Sequence, residues 1–148
     1  MGVLTDPTGS FTLDVPGEWA RETEDCVTTL YSPRGIGTAF VTVARHARGP
    51  QPDFGGAAFL ARFLRSLGLE VDDADIASAA GPGCRIFSHA RDTARARWRF
   101  FSITDEETAL LFSYTCPADA DARLSGEELG EVDGMVRSVR LFHATSVH

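Results

Sequence analysis

Alternating apolar and polar residues near the start of the chain predict a half-buried β-strand. The strand covers Phe11–Val15, and Pro16 with Gly17 ends it, because proline cannot donate to a sheet and glycine permits a sharp bend. Trp19 follows two residues later. We expect the chain to fold back here, so that the indole packs over the edge or end of the sheet.

Two more strands follow the same pattern, near residues 27–32 and 38–46, with the sequence SPRGIG as the turn between them. Period-two alternation in the second of them places Phe40 on the opposite face from Val41 and Val43. The first part of the chain is therefore predicted to be a meander of short strands.

An amphipathic helix is predicted next, with Asp53 as its N-cap, an end near Leu67 and Gly68 as its stop. The acidic stretch 70–83 predicts a loop with one short strand at 75–79. The apolar residues that repeat at helical spacing are Phe59, Leu60, Phe63, Leu64 and Leu67.

Between Cys84 and Cys116 the sequence predicts three antiparallel strands joined by two-residue turns, Asp92-Thr93 and Asp105-Glu106. Directly opposed residues share a sheet face, so the pairing follows from counting outward from each turn. Both faces carry large apolar groups, which predicts cover on both sides. The predicted pairs are Phe87 with Trp98 and Phe100 with Leu111 on one face, and Ile86 with Arg99, Arg99 with Phe112 and Phe101 with Leu110 on the other.

A second helix is predicted near the end of the chain, where Ser125 and Glu128 have the spacing of a capping box and Leu124 and Leu129 that of a hydrophobic staple. Its predicted buried stripe is Leu129, Val132, Val136 and Val139.

Glycines recur every four residues in this second helix, at Gly126, Gly130 and Gly134. We interpret them as a surface that packs closely on the sheet, and a groove for a partner helix is the alternative. Residues 138–142 are predicted to close the domain, with 143–148 as a frayed tail.

The order of these elements resembles the PsbP/Mog-like fold over roughly residues 10–142. The resemblance depends on a first strand that ends in Pro-x-x-Trp and on a last helix that leads into the sequence SVRL. The residues that carry it are Phe11, Val15, Pro16, Gly17 and Trp19 at the front, and Val136, Ser138, Val139, Arg140 and Leu141 at the back.

The resemblance implies an α+β fold in which an antiparallel sheet is flanked by helices. Because the sequence shows no internal repeat and no linker, we expect one domain over residues 1–148 with an ordered core of about 10–142. Members of this group are largely binding proteins and share no catalytic motif. The resemblance therefore implies a bacterial, non-enzymatic domain, protein-binding or chaperone-like, whose partner is another protein. No nucleotide- or cofactor-binding motif is evident in the sequence, so we expect no cofactor.

Composition narrows these expectations. The net charge of −7, with 14 basic residues that are all arginine, argues against nucleic acid as a partner, because such binding depends on basic surfaces. Three cysteines without a C-x-x-C pair fit reduced thiols. No secretory signal and no apolar run of membrane-spanning length is evident, so we expect a cytoplasmic protein.

The densest basic segment is RIFSHARDTARARWRF, residues 85–100. Alternation predicts that Arg95, Arg97 and Arg99 share one strand face, where they could hold a small anionic ligand or an acidic surface. The plainer interpretation is a solvated strand whose arginines pair with acids and stack on Phe101 or Tyr114. The candidate binding residues are Arg95, Arg97, Arg99, His89 and Tyr114.

No candidate catalytic or metal-binding residues emerge. The four histidines are too dispersed to form a metal site, and His89 lacks a nucleophile motif that it could serve as a base. We therefore interpret His89 as structural or exposed. A deep pocket where Arg97, Arg99 and His89 converge would favour a small anionic ligand, and a concave apolar face would favour a protein partner.

Overall fold

The computed structural model of the protein describes residues 2–6, 8–45, 51–81 and 83–142. These residues form ten β-strands, two α-helices and a 3₁₀ turn at Asp73–Asp75. The elements are Gly2–Thr5 (β1), Phe11–Val15 (β2), Ala20–Glu24 (β3), Val27–Tyr31 (β4), Thr38–Arg45 (β5), Ala57–Ser66 (α1), Ala77–Gly81 (β6), Cys84–Asp92 (β7), Ala96–Thr104 (β8), Thr108–Pro117 (β9), Ala122–Arg137 (α2) and Arg140–Leu141 (β10).

A seven-stranded antiparallel sheet, in the order β3-β4-β5-β9-β8-β7-β6, forms the centre of the molecule. Helix α1 packs on one face, where Leu60 and Leu64 contact Phe87 and Phe100. On the other face, α2 and the three-stranded sheet β1-β2-β10 enclose a larger core around Phe112. We call these the α1 face and the α2 face. The predicted α+β architecture, an antiparallel sheet flanked by helices, is confirmed.

Three strands differ from the sequence prediction. The strands β1 and β3 were not predicted. β1 pairs with β2, and β3 pairs with β4. All five residues of β3 are exposed, so this strand lacks the apolar alternation by which half-buried strands are recognised. β6 begins two residues later than predicted, because the 3₁₀ turn comes first.

Strands β7, β8 and β9 keep their predicted faces in a different register. The last paired residues at the two turns are Asp92 with Arg97 and Thr104 with Ala109, so each turn contains four residues, 93–96 and 105–108, instead of two. Thr93 Oγ1 accepts the Ala96 N–H (3.1 Å) and Asp105 Oδ1 accepts the Thr108 N–H (2.8 Å), which closes these wider turns. The pairing therefore shifts by an even number of residues, and no side chain changes face. The observed pairs are Phe87 with Ser102, Phe100 with Ser113, Ile86 with Ile103, Arg99 with Tyr114 and Phe101 with Phe112.

Helix α1 begins later than predicted and ends where predicted. Its N-cap is Gly56, whereas Asp53 lies in a preceding turn with a φ of 69° and accepts the Gly56 N–H through its carbonyl oxygen. The chain leaves the helix through Gly68, whose φ of 90° is readily adopted by glycine.

Helix α2 begins one turn earlier than the predicted capping box, because Asp121 is its N-cap and accepts the N–H groups of Arg123 and Leu124. Ser125 and Glu128 therefore lie inside the helix, and both are fully buried. The Glu128 carboxyl group accepts hydrogen bonds from Ser32 Oγ and, at 2.6 Å, from the Tyr114 hydroxyl. The capping-box prediction was wrong, and Glu128 instead links α2 to the sheet.

Trp19 packs against α2 and holds the segment after β2 to that helix. Its backbone N–H donates to the Pro16 carbonyl (3.0 Å), which closes a turn after β2. The buried indole donates from Nε1 to Glu131 (2.7 Å), and Arg34 donates to both oxygens of the same carboxylate (3.0 and 2.8 Å). The start of the chain is thus held to its last helix.

The glycines of α2 do not pack on the sheet. Gly126, Gly130 and Gly134 are exposed, and a Cβ added at any of them would meet nothing within 4 Å. The inner side of the helix is occupied by larger residues such as Val132 and Met135. The prediction of close packing through these glycines was therefore wrong.

The closing strand is present as predicted. β10 pairs with β2, and Phe142 donates its N–H to the Ser10 carbonyl (2.9 Å). The predicted frayed tail, residues 143–148, and His46 at the end of the predicted third strand lie outside the described residues.

We expect Glu128→Ala to lower the free energy of unfolding by about 3 kcal/mol, because it leaves two buried hydroxyls without their acceptor. Urea denaturation measures the change. The matched control is Glu127→Ala on the exposed side of the same helix turn, where a loss below about 0.5 kcal/mol is expected. Equal losses in the two variants would contradict the structural role of Glu128.

We expect the Arg34 and Glu131 pair to stabilise the fold only above acidic pH. The hydrogen bond from Arg34 lowers the Glu131 pKa below its ordinary value of 4.5. The contribution is therefore present above the unfolded-state pKa and is lost as the pH falls through the lower folded-state pKa.

Glu131→Gln tests this, since it keeps an acceptor for Trp19 and removes the charge. The stability difference from the wild type should be at most about 1 kcal/mol near neutral pH and should shrink as the pH falls below about 4.5. Urea denaturation across this pH range measures it. A difference that is constant with pH would contradict the ion pair's contribution.

Candidate functional site

The predicted arginine stripe lies at the end of the α2 face near the start of α2. Arg97 Nη1 donates to Ser125 Oγ in α2 (3.3 Å), and Arg99 Nη1 donates to the Asp92 carboxylate (2.8 Å). Arg95 lies in the turn before β8 and is exposed. Two of the three guanidinium groups thus have partners within the protein.

His89 does not join this stripe. It lies on the α1 face, where its Nδ1 is 3.3 Å from the carbonyl oxygen of Asp75. The neighbouring Arg91, on the same side of β7, donates to the carbonyl of Glu70 (2.7 Å). The sheet therefore separates His89 from Arg97 and Arg99, and no pocket converges on all three.

Tyr114 is opposite Arg99 in the sheet, but its phenol is fully buried. Burial, together with the hydrogen bond to Glu128, raises the Tyr114 pKa well above its ordinary value, so the hydroxyl stays protonated and donates. A Cβ at Gly37 would lie 2.3 Å from this hydroxyl. Only glycine therefore fits at position 37, where the turn before β5 lies against Tyr114. This environment makes Tyr114 part of the core and inaccessible to a ligand.

A surface that sequence reasoning did not identify lies on the α1 face, over β4 and β5. Val27, Tyr31 and Phe40 are 37%, 42% and 40% exposed there, which is high for large apolar side chains on one sheet face. Between them and α1 is a groove of about 110 Å³. We call it the apolar groove; it is lined by Val27, Phe40, Thr42, Leu60, Phe63, Phe100, Phe101, Leu111, Phe112 and Ser113.

The apolar groove exists because α1 is too small to cover its face of the sheet. A helix is about 10 Å wide, whereas seven strands spaced about 4.8 Å apart span about 29 Å. α1 has ten residues and packs over β7, β8 and β9. Its Phe63 forms one wall, and the alternation of β5 turns Phe40 toward the same side.

The far rim of the apolar groove is acidic. Glu22 and Glu24 are on β3, in register with Thr29 and Val27 of β4, and therefore lie on the α1 face. The Tyr31 hydroxyl donates to a carboxylate oxygen of Glu22 (3.5 Å) across the same pair of strands. A partner that covers the apolar surface would therefore meet negative charge at its edge.

A larger cavity of about 360 Å³ lies beside the start of α1, and both apolar and charged residues line it. Arg85 stacks over Phe87 in it, 4.8 Å from the ring centre, and Asp53, Asp73 and Glu106 also line it. Carboxylates and one arginine of opposite charge share this space, so it does not favour an anion.

The described residues offer neither a metal site nor a membrane span. Within them, no three or more His, Cys, Asp or Glu side chains are grouped so that they could hold a metal ion. Neither described helix is long and apolar enough to cross a membrane. Burial raises the pKa of the Cys84 thiol, which disfavours the reactive thiolate there.

The fold and this arrangement of faces define an α+β domain whose antiparallel sheet is covered by helices unequally on its two sides. The chain has the PsbP/Mog-like fold, as structural comparison shows. No protein-family model and no curated protein matches its sequence.

Three solved structures illustrate the likeness. Cyanobacterial PsbP (CyanoP) from Synechocystis sp. PCC 6803 has a TM-score of 0.67 at 12% identity, over 95% of this chain and 92% of that one. The Ran-binding protein Mog1p from Saccharomyces cerevisiae gives 0.59 at 12% identity, over 97% and 96%. A crystal structure from Bacteroides thetaiotaomicron gives 0.66 at 11%, and this chain matches 97% of its own length but about half (49%) of that one.

We expect the hydrophobic dye ANS to bind native protein at the apolar groove, because the dye reports exposed apolar surface. Phe40→Asp should lower the dye fluorescence and cost about 1 kcal/mol of stability, since Phe40 is partly buried. The matched control is Phe142→Asp, at a phenylalanine that is 47% exposed elsewhere. Equal loss of fluorescence in both variants would contradict binding at the groove.

Proposed function

We propose that this protein is a non-enzymatic, protein-binding domain that holds its partner in the apolar groove. The observation that carries the proposal is the exposed surface of Val27, Tyr31 and Phe40 beside α1. Contiguous apolar surface with a polar rim is typical of protein interaction sites. A chaperone-like role is the form of this function that the surface supports best, because such a groove can cover an apolar segment of another protein.

The geometry supports a protein partner better than a small anionic ligand. The apolar groove is small, about 110 Å³, and its lining contains no basic residue. Arg97 and Arg99 donate to Ser125 and Asp92, and His89 is on the other face. The name of one structural neighbour, the Ran-binding protein Mog1p, is also in keeping with a fold that serves protein binding.

Two side chains that could perform chemistry are instead used within the core, in keeping with a non-enzymatic role. Tyr114 and Glu128 bond to each other away from solvent. We further propose a cytoplasmic location, because the three cysteines of the chain are free thiols, as in a reducing compartment.

Site-specific photo-crosslinking in the organism that encodes the chain tests the proposal. Benzoylphenylalanine at position 40 should give a covalent adduct with one additional protein, and the same group at position 142 should not. The two positions are matched, since Phe40 and Phe142 are aromatic and 40% and 47% exposed.

Val27→Asp in the same chain should abolish the adduct, because it places a charge in the groove. With the partner then purified, Val27→Asp should weaken binding at least about tenfold in calorimetry. Adducts of equal yield from both positions, or none from position 40, would count against the apolar groove as the binding site.

A further inference from the structure

We propose that the free edge of β6 binds an extended segment of a partner protein, which adds to the seven-stranded sheet as one more strand. This surface lies at the opposite end of the sheet from β3 and β4. The inference therefore does not depend on the apolar groove.

β6 is the last strand of the sheet, and within the described residues its only strand partner is β7. In an antiparallel pair, alternate residues of an edge strand direct their N–H and C=O groups outward. The residues Ala77–Gly81 carry no charge, and all but the last are exposed. An edge of this kind is a template for pairing, because it has none of the charges that usually prevent it.

The other edge of the sheet is protected in the usual way. β3 carries Arg21, Glu22 and Glu24. Arg21 also donates to the carbonyl of Val3 in β1 (3.3 Å), so this edge is in contact with the small sheet. Of the two edges of this sheet, only the β6 edge is both exposed and free of charged residues.

A groove beside β6 would take the side chains of an added strand. It lies on the α2 face, has a volume of about 110 Å³ and includes Ala77 and Ala79 of β6. Ile86 and Phe101 give it an apolar floor, and α2 forms the opposite wall. Side chains alternate along a strand, so every second residue of the added segment would enter this groove. Small aliphatic residues fit there.

The acidic turn before β6 favours a partner segment with a positively charged end. Asp72, Asp73 and Asp75 lie in the 3₁₀ turn before β6, and the only ion pair of this acidic turn within the described residues is Asp73 with Arg65, at 3.8 Å. The chain as a whole carries a net charge of −7. The fitting partner therefore has arginine or lysine at the end that lies beside Asp72 and Asp75.

A second copy of this chain fits less well. Its β6 carries no basic residue and is followed by Pro82 and Gly83, so it cannot supply a positive charge beside Asp72. Two copies would also bring together two chains of net charge −7. We therefore infer a partner of different sequence, in the chemical class of a neutral extended segment with a basic end.

Fluorescence anisotropy with synthetic peptides tests the proposal on the full chain. The probes are Arg-Arg-Thr-Val-Thr-Val-Thr-Val-Gly and the reverse order, Gly-Val-Thr-Val-Thr-Val-Thr-Arg-Arg, which suit the two strand directions. At least one should bind below about 1 mM, and glutamates in place of its arginines should weaken it several-fold. Alternate N–H groups of the added strand donate to the sheet, so they belong either to the valines or to the threonines. Methylating the backbone nitrogens of that one set should weaken binding about tenfold.

The protein variants separate this edge from the other surfaces. Ala79→Lys should weaken binding at least about tenfold by blocking edge and groove, while Thr23→Lys on β3 and Phe40→Asp should leave it unchanged. Asp72→Asn with Asp75→Asn should weaken binding several-fold and reduce its salt dependence. Near-UV circular dichroism checks that Ala79→Lys is folded, and the methylated peptides give the same answer without any variant.

Three results would overturn the proposal. One is that neither peptide binds up to about 1 mM. Another is binding that survives both Ala79→Lys and backbone methylation. The third is a wild-type dimer in sedimentation equilibrium that Ala79→Lys dissociates, because the occupant would then be a second copy.

Discussion

The carboxyl group of Glu128 fixes how the last helix sits on the sheet. It is fully buried and accepts hydrogen bonds from Ser32 Oγ, at the turn after β4, and from the Tyr114 hydroxyl in β9. Burying a carboxyl group is costly unless its hydrogen bonds are satisfied, so only one seating of α2 is acceptable. The apolar contacts of the α2 face, from Phe112 to Val136, depend on that seating.

One turn further along α2, a second carboxylate, that of Glu131, binds the first part of the chain to the helix. Glu131 accepts hydrogen bonds from Trp19 and from Arg34, so one carboxylate connects the turn after β2, the turn after β4 and the helix. This explains why the chain breaks its first strand at Pro16 and Gly17: the break lets the indole reach the helix. β10 then pairs with β2 on the same side, and both ends of the described chain meet there.

Local periodicity predicted the strand faces, but not what depends on distant residues. The alternation of β5 put Phe40 opposite Val41, and this was right. The exposure of Phe40 could not be predicted, because it depends on where α1 crosses the sheet. The role of Glu128 was missed for a similar reason: its partners Ser32 and Tyr114 are 96 and 14 residues away in sequence.

Turn chemistry explains most of the remaining differences. Thr93 and Asp105 each accept a backbone hydrogen bond within a turn of four residues, where composition alone predicted two. Asp121 likewise caps α2 ahead of the serine that resembled a cap. The arginines of β8 did share a face as alternation predicts, but their engagement with Ser125 and Asp92 is a tertiary property.

The exposed glycines of α2 have a consequence for how the fold holds together. Each interior glycine disfavours the helix by about 1 kcal/mol relative to alanine, and isolated helices of this length are marginal even without such residues. α2 therefore cannot stay helical once it leaves the sheet. Undocking and unwinding are one event, so the α2 face opens cooperatively and has no intermediate with a detached, intact helix.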